Sequence, residues 1–168
     1  LYSHNKGATW EPCPIGPLAN TTEAQVAETS PGTLMLNMRD NRGGYRSIAT
    51  TTNMGNSWQM HPTSGNTLTD PICMGSLLQT IIAGKSGQQS VLWFSNPSDN
   101  RSRINLTLKA SIDGGNSWGT AAQKIIDQRE GYGYSCLTLA DDKHLGMLYE
   151  GKGDLYFVKI PLNSILKP

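Results

Sequence analysis

Two arginines, a tyrosine and two glutamates of this 168-residue chain stand where short strands are predicted to begin or end. They are Glu23, Arg39, Arg103, Tyr134 and Glu150. Planar guanidinium groups bind carboxylates through paired, charge-assisted hydrogen bonds. A glutamate beside a weak nucleophile such as a phenol can accept its proton and so activate it. If the fold gathers these side chains, the cluster can bind an anionic substrate and act on it chemically.

The elements that must position them are β-strands. Short alternating or β-rich runs dominate the chain, and no long segment has helical periodicity, which predicts an all-β protein. Turn clusters such as NRGG, NPSDN and DGGN separate the runs. Only residues 161–168 are predicted to form a helical turn. The predicted strands cover residues 24–29, 33–38, 45–51, 75–82, 90–95, 103–111, 123–127, 134–140, 144–150 and 154–160.

The order of these strands places the five candidate residues on one face. Successive strands of an up-and-down sheet reverse direction, so a first strand starts where a second ends and a third starts. Glu23 precedes a first strand, Arg39 and Glu150 end second strands, Arg103 starts a third strand, and Tyr134 starts a first strand. We therefore expect them at a common mouth, where a binding or catalytic site can form.

A short motif recurs three times, at residues 3–10, 51–58 and 111–118, and each copy fits [ST]-x-[DN]-x-G-x-[ST]-W. The copies start 48 and 60 residues apart, which is the length of a propeller blade. The Asn or Asp can bond to its own turn, and the Gly can adopt a positive φ. The closing tryptophans, Trp10, Trp58 and Trp118, are expected to pack between neighbouring sheets with their N–H groups satisfied.

The repeats predict a single partial domain over residues 1–168. Residues 1 to about 18 would end one blade, and three further blades would follow, with strands expected from Trp58 and near 119–127 to complete two of them. A six-bladed β-propeller with this repeat needs about twice the length. An isolated half would expose sheet edges and apolar faces. We therefore expect this chain to supply roughly the C-terminal three and a half blades, with an N-terminal half outside it.

Composition excludes several classes of protein. The net charge is +1 and only 16% of residues are charged, so a nucleic acid partner is not expected. No apolar run is long enough to span a bilayer. The three cysteines are far apart and the three histidines stand alone, so neither a zinc site nor a disulfide framework is expected. No cofactor is expected either. The first residues carry no signal peptide pattern and do not indicate the compartment.

Several motifs resemble one family. The motifs are TEAQVAET, LNMRDN, DPICMGSLL, SNPSDNRSRINLTL, GYGYSCL and LYEG. In this order they are similar to the C-terminal half of exo-α-sialidases (neuraminidases) of glycoside hydrolase family 33. The three repeats resemble the Asp-boxes of the same propellers, where they are structural. Two of the three carry Asn where the family usually has Asp.

The resemblance implies a role for each candidate residue. Glu23 matches the glutamate that activates a nucleophilic tyrosine, and Tyr134 matches that nucleophile. Arg39 and Arg103 match two members of an arginine triad that binds the substrate carboxylate. Glu150 matches the glutamate that orients the remaining arginine. That arginine and the general acid/base belong to the N-terminal half in this family, so we expect this chain alone to be inactive.

The implied reaction is hydrolysis of terminal α-linked sialic acid from glycoconjugates, with retention through a tyrosyl–sugar intermediate. A neutral tyrosine avoids the like-charge approach that a carboxylate nucleophile would make to the sugar's own carboxylate, and sialidases are known exceptions to the two-carboxylate pattern. The partner would be a sialylated glycan, and the family is secreted, periplasmic or on the bacterial cell surface. A non-catalytic Asp-box propeller that binds carbohydrate or protein is the alternative, and transfer to a sugar acceptor would use the same residues.

Neighbouring residues compete for most of these roles. Arg42 and Arg46 lie close to Arg39, Arg101 precedes Arg103 by two positions, and Tyr132 precedes Tyr134 by two. Strand position favours Arg103, and the YSCL context favours Tyr134. The sequence favours simpler roles for three acidic residues, surface charge for Glu28 and Glu130 and a turn for Asp70.

Overall fold

The computed structural model describes residues 1–13, 16–84 and 87–166 and is built almost entirely of strands. Two short 3-10 turns, Thr120–Ala122 and Leu162–Ser164, are the helical elements of this part. The all-β class predicted from the sequence is confirmed. The strands are β1 (Thr21–Ser30), β2 (Thr33–Asp40), β3 (Gly44–Tyr45), β4 (Ser47–Thr51), β5 (Gln59–Met60), β6 (Thr69–Asp70), β7 (Ser76–Gly84), β8 (Gly87–Pro97), β9 (Leu106–Ser111), β10 (Gln123–Asp127), β11 (Ser135–Asp141), β12 (His144–Glu150) and β13 (Leu155–Pro161).

Three antiparallel sheets follow one another along the chain. The first has the order β1-β2-β4-β5, the second β7-β8-β9-β10 and the third β11-β12-β13. Strands that follow one another in each sheet are hydrogen-bonded neighbours, which is the up-and-down order expected from the sequence. A two-stranded ribbon, β3 with β6, links the first two sheets. This order places the starts of β1, β9 and β11 and the end of β2 on one face.

Two apolar clusters fill the spaces between the sheets. The first and second sheets enclose one, with Met35 and Ile48 fully buried against Phe94. The second and third sheets enclose the other, around Trp93 and Met147. Strand β8 contributes to both because its side chains alternate between the two faces of the middle sheet. That explains why this strand is an almost continuous buried run from Val91 to Pro97.

Several strand boundaries differ from the sequence prediction. The run 45–51 is broken at Arg46, whose N–H bonds to the carbonyl of Leu68 and leaves the ladder. The predicted strand 103–111 begins only at Leu106. The strand expected near 119–127 begins at Gln123, after a 3-10 turn. Within the described residues, 1–13 form only a bridge between Tyr2 and Glu11. Residues 14–15 of the first expected blade and 167–168 of the expected C-terminal turn lie outside the described residues.

The three repeated turns have one hydrogen-bond pattern. In the third copy, the Ser111 hydroxyl accepts the N–H of Gly115 at 2.9 Å, and Asp113 accepts the N–H of Ser117 at 2.9 Å. The first two copies repeat both bonds with Asn in place of Asp. The glycine of each copy has a φ near +90°. The turns join β4 to β5 and β9 to β10, on the face opposite the candidate site residues.

The tryptophans of the three turns differ in burial, and the expected packing between sheets is found for Trp118 but not for Trp10. Trp118 packs edge-on against Phe94 between two sheets and donates its N–H to Gly115. Trp10 is 62% exposed and precedes the first strand of the described sheets. Trp58 is half-buried, and its N–H has no partner among the described residues. The buried tryptophan is thus the one at the turn of the middle sheet, which has a described sheet on each side.

Substituting Gly115 with alanine tests the cost of this turn. Gly115 has a φ of +91°, and an added Cβ would come within 2.7 Å of the Met35 methyl carbon. We expect Gly115→Ala to lower the free energy of unfolding by about 1–3 kcal/mol in urea titrations. Gly119→Ala is the matched control, since Gly119 has a φ of −62° and no neighbour within 4 Å. Equal effects of the two substitutions would contradict this account of the turn.

Lys109 is a buried cation in the middle sheet. Its ammonium donates to the side chain of Asn96 at 2.7 Å and lies 5.6 Å from the Phe94 ring centroid. Burial lowers the pKa of Lys109 to about 7; nearby Asp70 opposes this shift and Arg46 adds to it. The unfolded chain keeps this proton up to a pH of about 10.4. Between these two values the unfolded state binds more protons than the folded state, so this residue makes stability rise with pH.

Lys109→Met should remove that pH dependence. From pH 7 to 8 the free energy of unfolding of the wild type should rise more steeply than that of the variant, by up to about 1.4 kcal/mol per pH unit. Urea titrations at several pH values measure both slopes, and terms from other groups cancel in their difference. Lys124→Met, an exposed position on the neighbouring strand β10, should keep the wild-type slope. Identical slopes for wild type and Lys109→Met would contradict the assignment.

Candidate active site

Three of the five candidate side chains meet at one point on the face opposite the repeated turns. The hydroxyl of Tyr134 donates a hydrogen bond to Oε1 of Glu23. Nη1 of Arg39 donates to Oε2 of Glu23 at 2.7 Å and lies 3.4 Å from the Tyr134 oxygen. The Glu23 and Arg39 side chains remain 34% and 20% exposed. A phenol, a carboxylate and a guanidinium are therefore in mutual contact and open to a ligand.

A β-bulge aims Glu23 into this cluster. The pairing of β1 with β2 shifts between Thr22, which faces Arg39, and Ala24, which faces Met38. Glu23 is the extra residue, and its φ of +36° is unusual for a side chain other than glycine. Bulges and strained φ values concentrate at functional sites, where the surrounding structure holds them in place. This backbone conformation directs the Glu23 carboxylate towards Tyr134, which lies 111 positions further along the chain.

Tyr134 is fixed by the backbone on both sides of it. Its carbonyl accepts the N–H of Glu150 at 2.9 Å, which ties it to the end of β12. Gly133 has a φ of +83°, and an added Cβ would meet Pro97 at 2.7 Å. A glycine is needed here because the chain passes this closely under β8. The turn from Gly131 to Tyr134 is therefore held rigidly against the second sheet.

Arg103 stands beside the cluster, but in a loop. Its placement at the start of a strand was wrong, because Asn105 has a φ of +55° and its carbonyl accepts the N–H of Ser98, which closes the loop before β9 begins. Its guanidinium lies 5.8 Å from the ring centroid of Tyr134. Nη1 donates to the carbonyl of Tyr132 at 2.8 Å and Nη2 to that of Ile72 at 3.1 Å.

The charges in the cluster favour a neutral phenol beside an ionised carboxylate. The bond to Glu23, with partial burial, raises the pKa of Tyr134. Partial burial raises the pKa of Glu23, but bonds from Tyr134 and Arg39 outweigh it, so the net pKa is lowered. At neutral pH Glu23 is therefore the acceptor of a proton that Tyr134 holds. This is the protonation state in which a base can activate a hydroxyl nucleophile.

Glu150 shares the region but not the cluster. It is joined to Tyr134 through the backbone, and its carboxylate makes no hydrogen bond or ion pair with the described residues. It lines a cavity of about 310 Å³ together with Arg103, Tyr149 and Tyr156. The position leaves its carboxylate available to a group outside the described chain.

The competing residues occupy other environments. Arg42 pairs with Asp40 at 2.7 Å, Glu130 pairs with Lys152 at the surface, and Arg101 is exposed. None of them is bonded to the cluster of Glu23, Arg39 and Tyr134 in the part of the chain that the structure describes.

Sequence reasoning missed the buried pair Arg46 and Asp70. Both side chains are fully buried, with Arg46 Nη1 3.5 Å from Asp70 Oδ1. We expected Asp70 only to form a turn and Arg46 only to compete with Arg39. Asp70 opens the motif DPICMGSLL, but no pattern in that motif indicates that its aspartate is buried.

No three His, Cys, Asp or Glu side chains are placed to hold a metal ion within residues 1–13, 16–84 and 87–166. The same described residues include no helix that is long and apolar enough to cross a membrane.

Comparison with known proteins places the chain in a family. A family model described as a BNR repeat-like domain matches residues 1–149, and the chain belongs to this family. It is 40% identical over 168 residues to a sialidase of Bacteroides fragilis (strain YCH46), covering 99% of this chain and 31% of that protein. It is 34% identical over 163 residues to a sialidase of Micromonospora viridifaciens, covering 93% and 24%. The chain thus spans about a third or less of these relatives.

Solved structures agree. The Hadza microbial sialidase Hz136 superposes with a TM-score of 0.81 at 44% identity, covering 88% of this chain and 29% of that one. A leech intramolecular trans-sialidase superposes with a TM-score of 0.78 at 21% identity, covering 98% and 27%, and shows the fold alone. The resemblance to sialidases predicted from the motifs is confirmed.

Proposed function

We propose that this chain is part of an exo-α-sialidase, which hydrolyses terminal α-linked sialic acid from glycoconjugates with retention of configuration. The contact among Glu23, Arg39 and Tyr134 is the observation that carries the proposal. It joins a potential nucleophile to a base and to a guanidinium that can bind the substrate carboxylate. The similarity to proteins named sialidases supports the same substrate class.

In the first step, the Tyr134 oxygen attacks the anomeric carbon while its proton passes to Glu23. The bond from that carbon to the aglycone oxygen breaks, and an acid outside this chain protonates the leaving group. In the second step, water attacks the anomeric carbon and gives its proton to that same group. The bond to Tyr134 breaks, and the phenol recovers its proton from Glu23. Two inversions at one carbon give net retention.

Arg39 and Arg103 take the sugar carboxylate in this proposal. Arg39 presents a partly exposed guanidinium beside the Tyr134 oxygen, and Arg103 presents one near the ring. The Tyr134 oxygen must reach the anomeric carbon, which also bears the carboxylate. Guanidinium groups beside Tyr134 would therefore be close enough to bind that carboxylate. Glu150 would orient a third arginine supplied by the rest of the protein, which fits its unpaired carboxylate.

The rest of the protein is part of the proposal. We propose a six-bladed β-propeller with Asp-box turns, of which residues 1–168 supply about three and a half blades. The exposed apolar side chains of the third sheet, Leu155 at 68% and Phe157 at 63%, suit a face that another blade covers. The substrate of the complete protein is a sialylated glycan.

An aryl α-sialoside tests the proposal. The longer protein that carries this chain should release the aryl group, and proton NMR should show the α-anomer of sialic acid as the first product. Residues 1–168 alone should give no turnover. Initial release of the β-anomer would overturn the tyrosyl intermediate, and absence of hydrolysis by the longer protein would overturn the function. Adding lactose distinguishes hydrolysis from transfer, since transfer would form a sialylated trisaccharide.

A further inference from the structure

A cluster of polar side chains is buried beneath the candidate site, between the first and second sheets. We call it the buried polar cluster; it consists of Asn37, Arg46, Asp70, Asn96 and Lys109. Arg46 donates from Nε to Asn37 at 2.7 Å, and Asn96 donates to Asp70 Oδ1 at 3.1 Å. No member takes part in the reaction proposed above. Burying two basic side chains and a carboxylate is costly, so the cluster requires a structural or functional explanation.

Both members of its ion pair hold the backbone of one residue. Nη1 of Arg46 donates to the carbonyl of Cys73 at 2.5 Å. The N–H of Cys73 donates to Oδ2 of Asp70 at 3.1 Å. The pair therefore holds both backbone polar groups of Cys73, and the N–H held by Asp70 shares its peptide plane with the Ile72 carbonyl. A guanidinium suits this task because its fork donates to Asn37 and to the carbonyl at the same time.

The residue before Cys73, Ile72, has a strained backbone. Ile72 has a φ of +57°, which is a rare conformation for a β-branched residue. Such a conformation persists only where the surrounding contacts impose it. Here the contacts on either side are the aspartate at position 70 and the Cys73 peptide held by Arg46. The strain turns the Ile72 carbonyl towards the site, where it accepts Nη2 of Arg103 at 3.1 Å.

We propose that Asp70 and Arg46 are positioning residues, which set the direction of the Arg103 guanidinium through the Ile72 carbonyl. This inference rests on the proposed function, in which Arg103 binds the substrate carboxylate. Arg103 itself lies in a loop, and among the described residues its guanidinium makes two hydrogen bonds, to the carbonyls of Ile72 and Tyr132. Loss of one of the two leaves the guanidinium free to turn, although the buried pair never touches it.

Asp70→Asn tests the idea in the longer protein with an aryl α-sialoside. The variant keeps the shape of the side chain but removes the charge that holds Arg46 and the Cys73 N–H. We expect KM to rise about ten-fold with kcat within about three-fold, since a misplaced carboxylate ligand weakens substrate binding. In an Arg103→Ala background, Asp70→Asn should change KM by less than about two-fold, because the two effects share one path.

Leu145→Ala is the control for general destabilisation. Leu145 is fully buried in the other apolar cluster, so its loss should lower the melting temperature and leave KM unchanged. Arg46→Lys is the second variant if Asp70→Asn does not fold, because lysine has one terminal nitrogen in place of the separate Nε and Nη1 donors that reach Asn37 and Cys73. A native KM in the variant that folds, or effects of Asp70→Asn and Arg103→Ala that multiply, would overturn the proposal.

A crystal structure of the Asp70→Asn protein separates this inference from the proposed function. If the wild type hydrolyses no sialoside, the function fails, but the positional claim is still decided by coordinates. We expect the contact between Ile72 O and Arg103 Nη2 to lengthen beyond hydrogen-bonding distance. An unchanged contact, with Ile72 still at a positive φ, would show that the buried pair does not set the position of Arg103.

Discussion

Replacing Tyr134 with phenylalanine is expected to reduce hydrolysis of an aryl α-sialoside by the longer protein by about 10³-fold or more. The substitution removes one oxygen, which is the nucleophile in the proposed reaction and the donor to Glu23. No neighbour can replace it, because the remaining groups in contact are a carboxylate and a guanidinium. Losing a covalent nucleophile costs more than losing a binding contact. Steady-state rates with the aryl α-sialoside measure the effect.

The same variant should keep the fold and the binding of sugar. Tyr134 is anchored by its carbonyl, which phenylalanine retains. Tyr132→Phe is the matched control, since the Tyr132 ring is 59% exposed and only its carbonyl contacts Arg103. It should retain wild-type turnover. Normal turnover in Tyr134→Phe, or an equal loss in both variants, would contradict the assignment of the nucleophile.

The strand order could be predicted from the sequence because each strand has a local sequence pattern. Runs such as 144–150 alternate or are β-rich, and the turns between them carry Gly, Asn and Asp. The repeated motif fixed the grouping, since each copy closes with a tryptophan at the same offset. Strand β6, with two residues, gave no such signal and was missed. The burial of Trp118 against the exposure of Trp10 depends on which sheets are neighbours, and no local pattern contains that.

The candidate site could be predicted in its residue types but not in its geometry. Topology alone brings Glu23, Arg39 and Tyr134 to one face, but the bulge that aims Glu23 depends on the pairing register of two strands. The residues around Arg103 have the composition of a strand, which predicts that Arg103 starts one. Its position instead depends on hydrogen bonds to two backbone carbonyls about 30 residues away, those of Tyr132 and Ile72. Arg46 is predicted only to compete with Arg39, because arginine is rarely buried without partners. The partners that allow its burial, such as Asp70, are distant in sequence and cannot be recognised from it.

Glu23→Gln is expected to lower kcat on the aryl α-sialoside by about 10²–10⁴-fold. Glutamine has nearly the same shape, so the bulge and the position of the side chain should survive. It cannot accept the phenol proton, and Tyr134 alone is a weak nucleophile at neutral pH. The pKa of Glu23 is lowered by Tyr134 and Arg39 more than partial burial raises it. In the wild type this carboxylate therefore stays ionised at pH values where an ordinary glutamate would already be protonated.

The pH dependence distinguishes a base from a residue that only holds Arg39 in place. As pH falls through the lowered pKa, protonation of Glu23 should reduce the wild-type rate, and that acidic decline should be missing in Glu23→Gln. Glu28→Gln is the control on the same strand, because Glu28 is exposed and its one hydrogen bond within the described residues is from the N–H of Gly32. It should keep both the rate and the profile. A Glu23→Gln protein with a raised KM, a native kcat and an unchanged acidic limb would mean that Glu23 serves Arg39 and that Tyr134 loses its proton elsewhere.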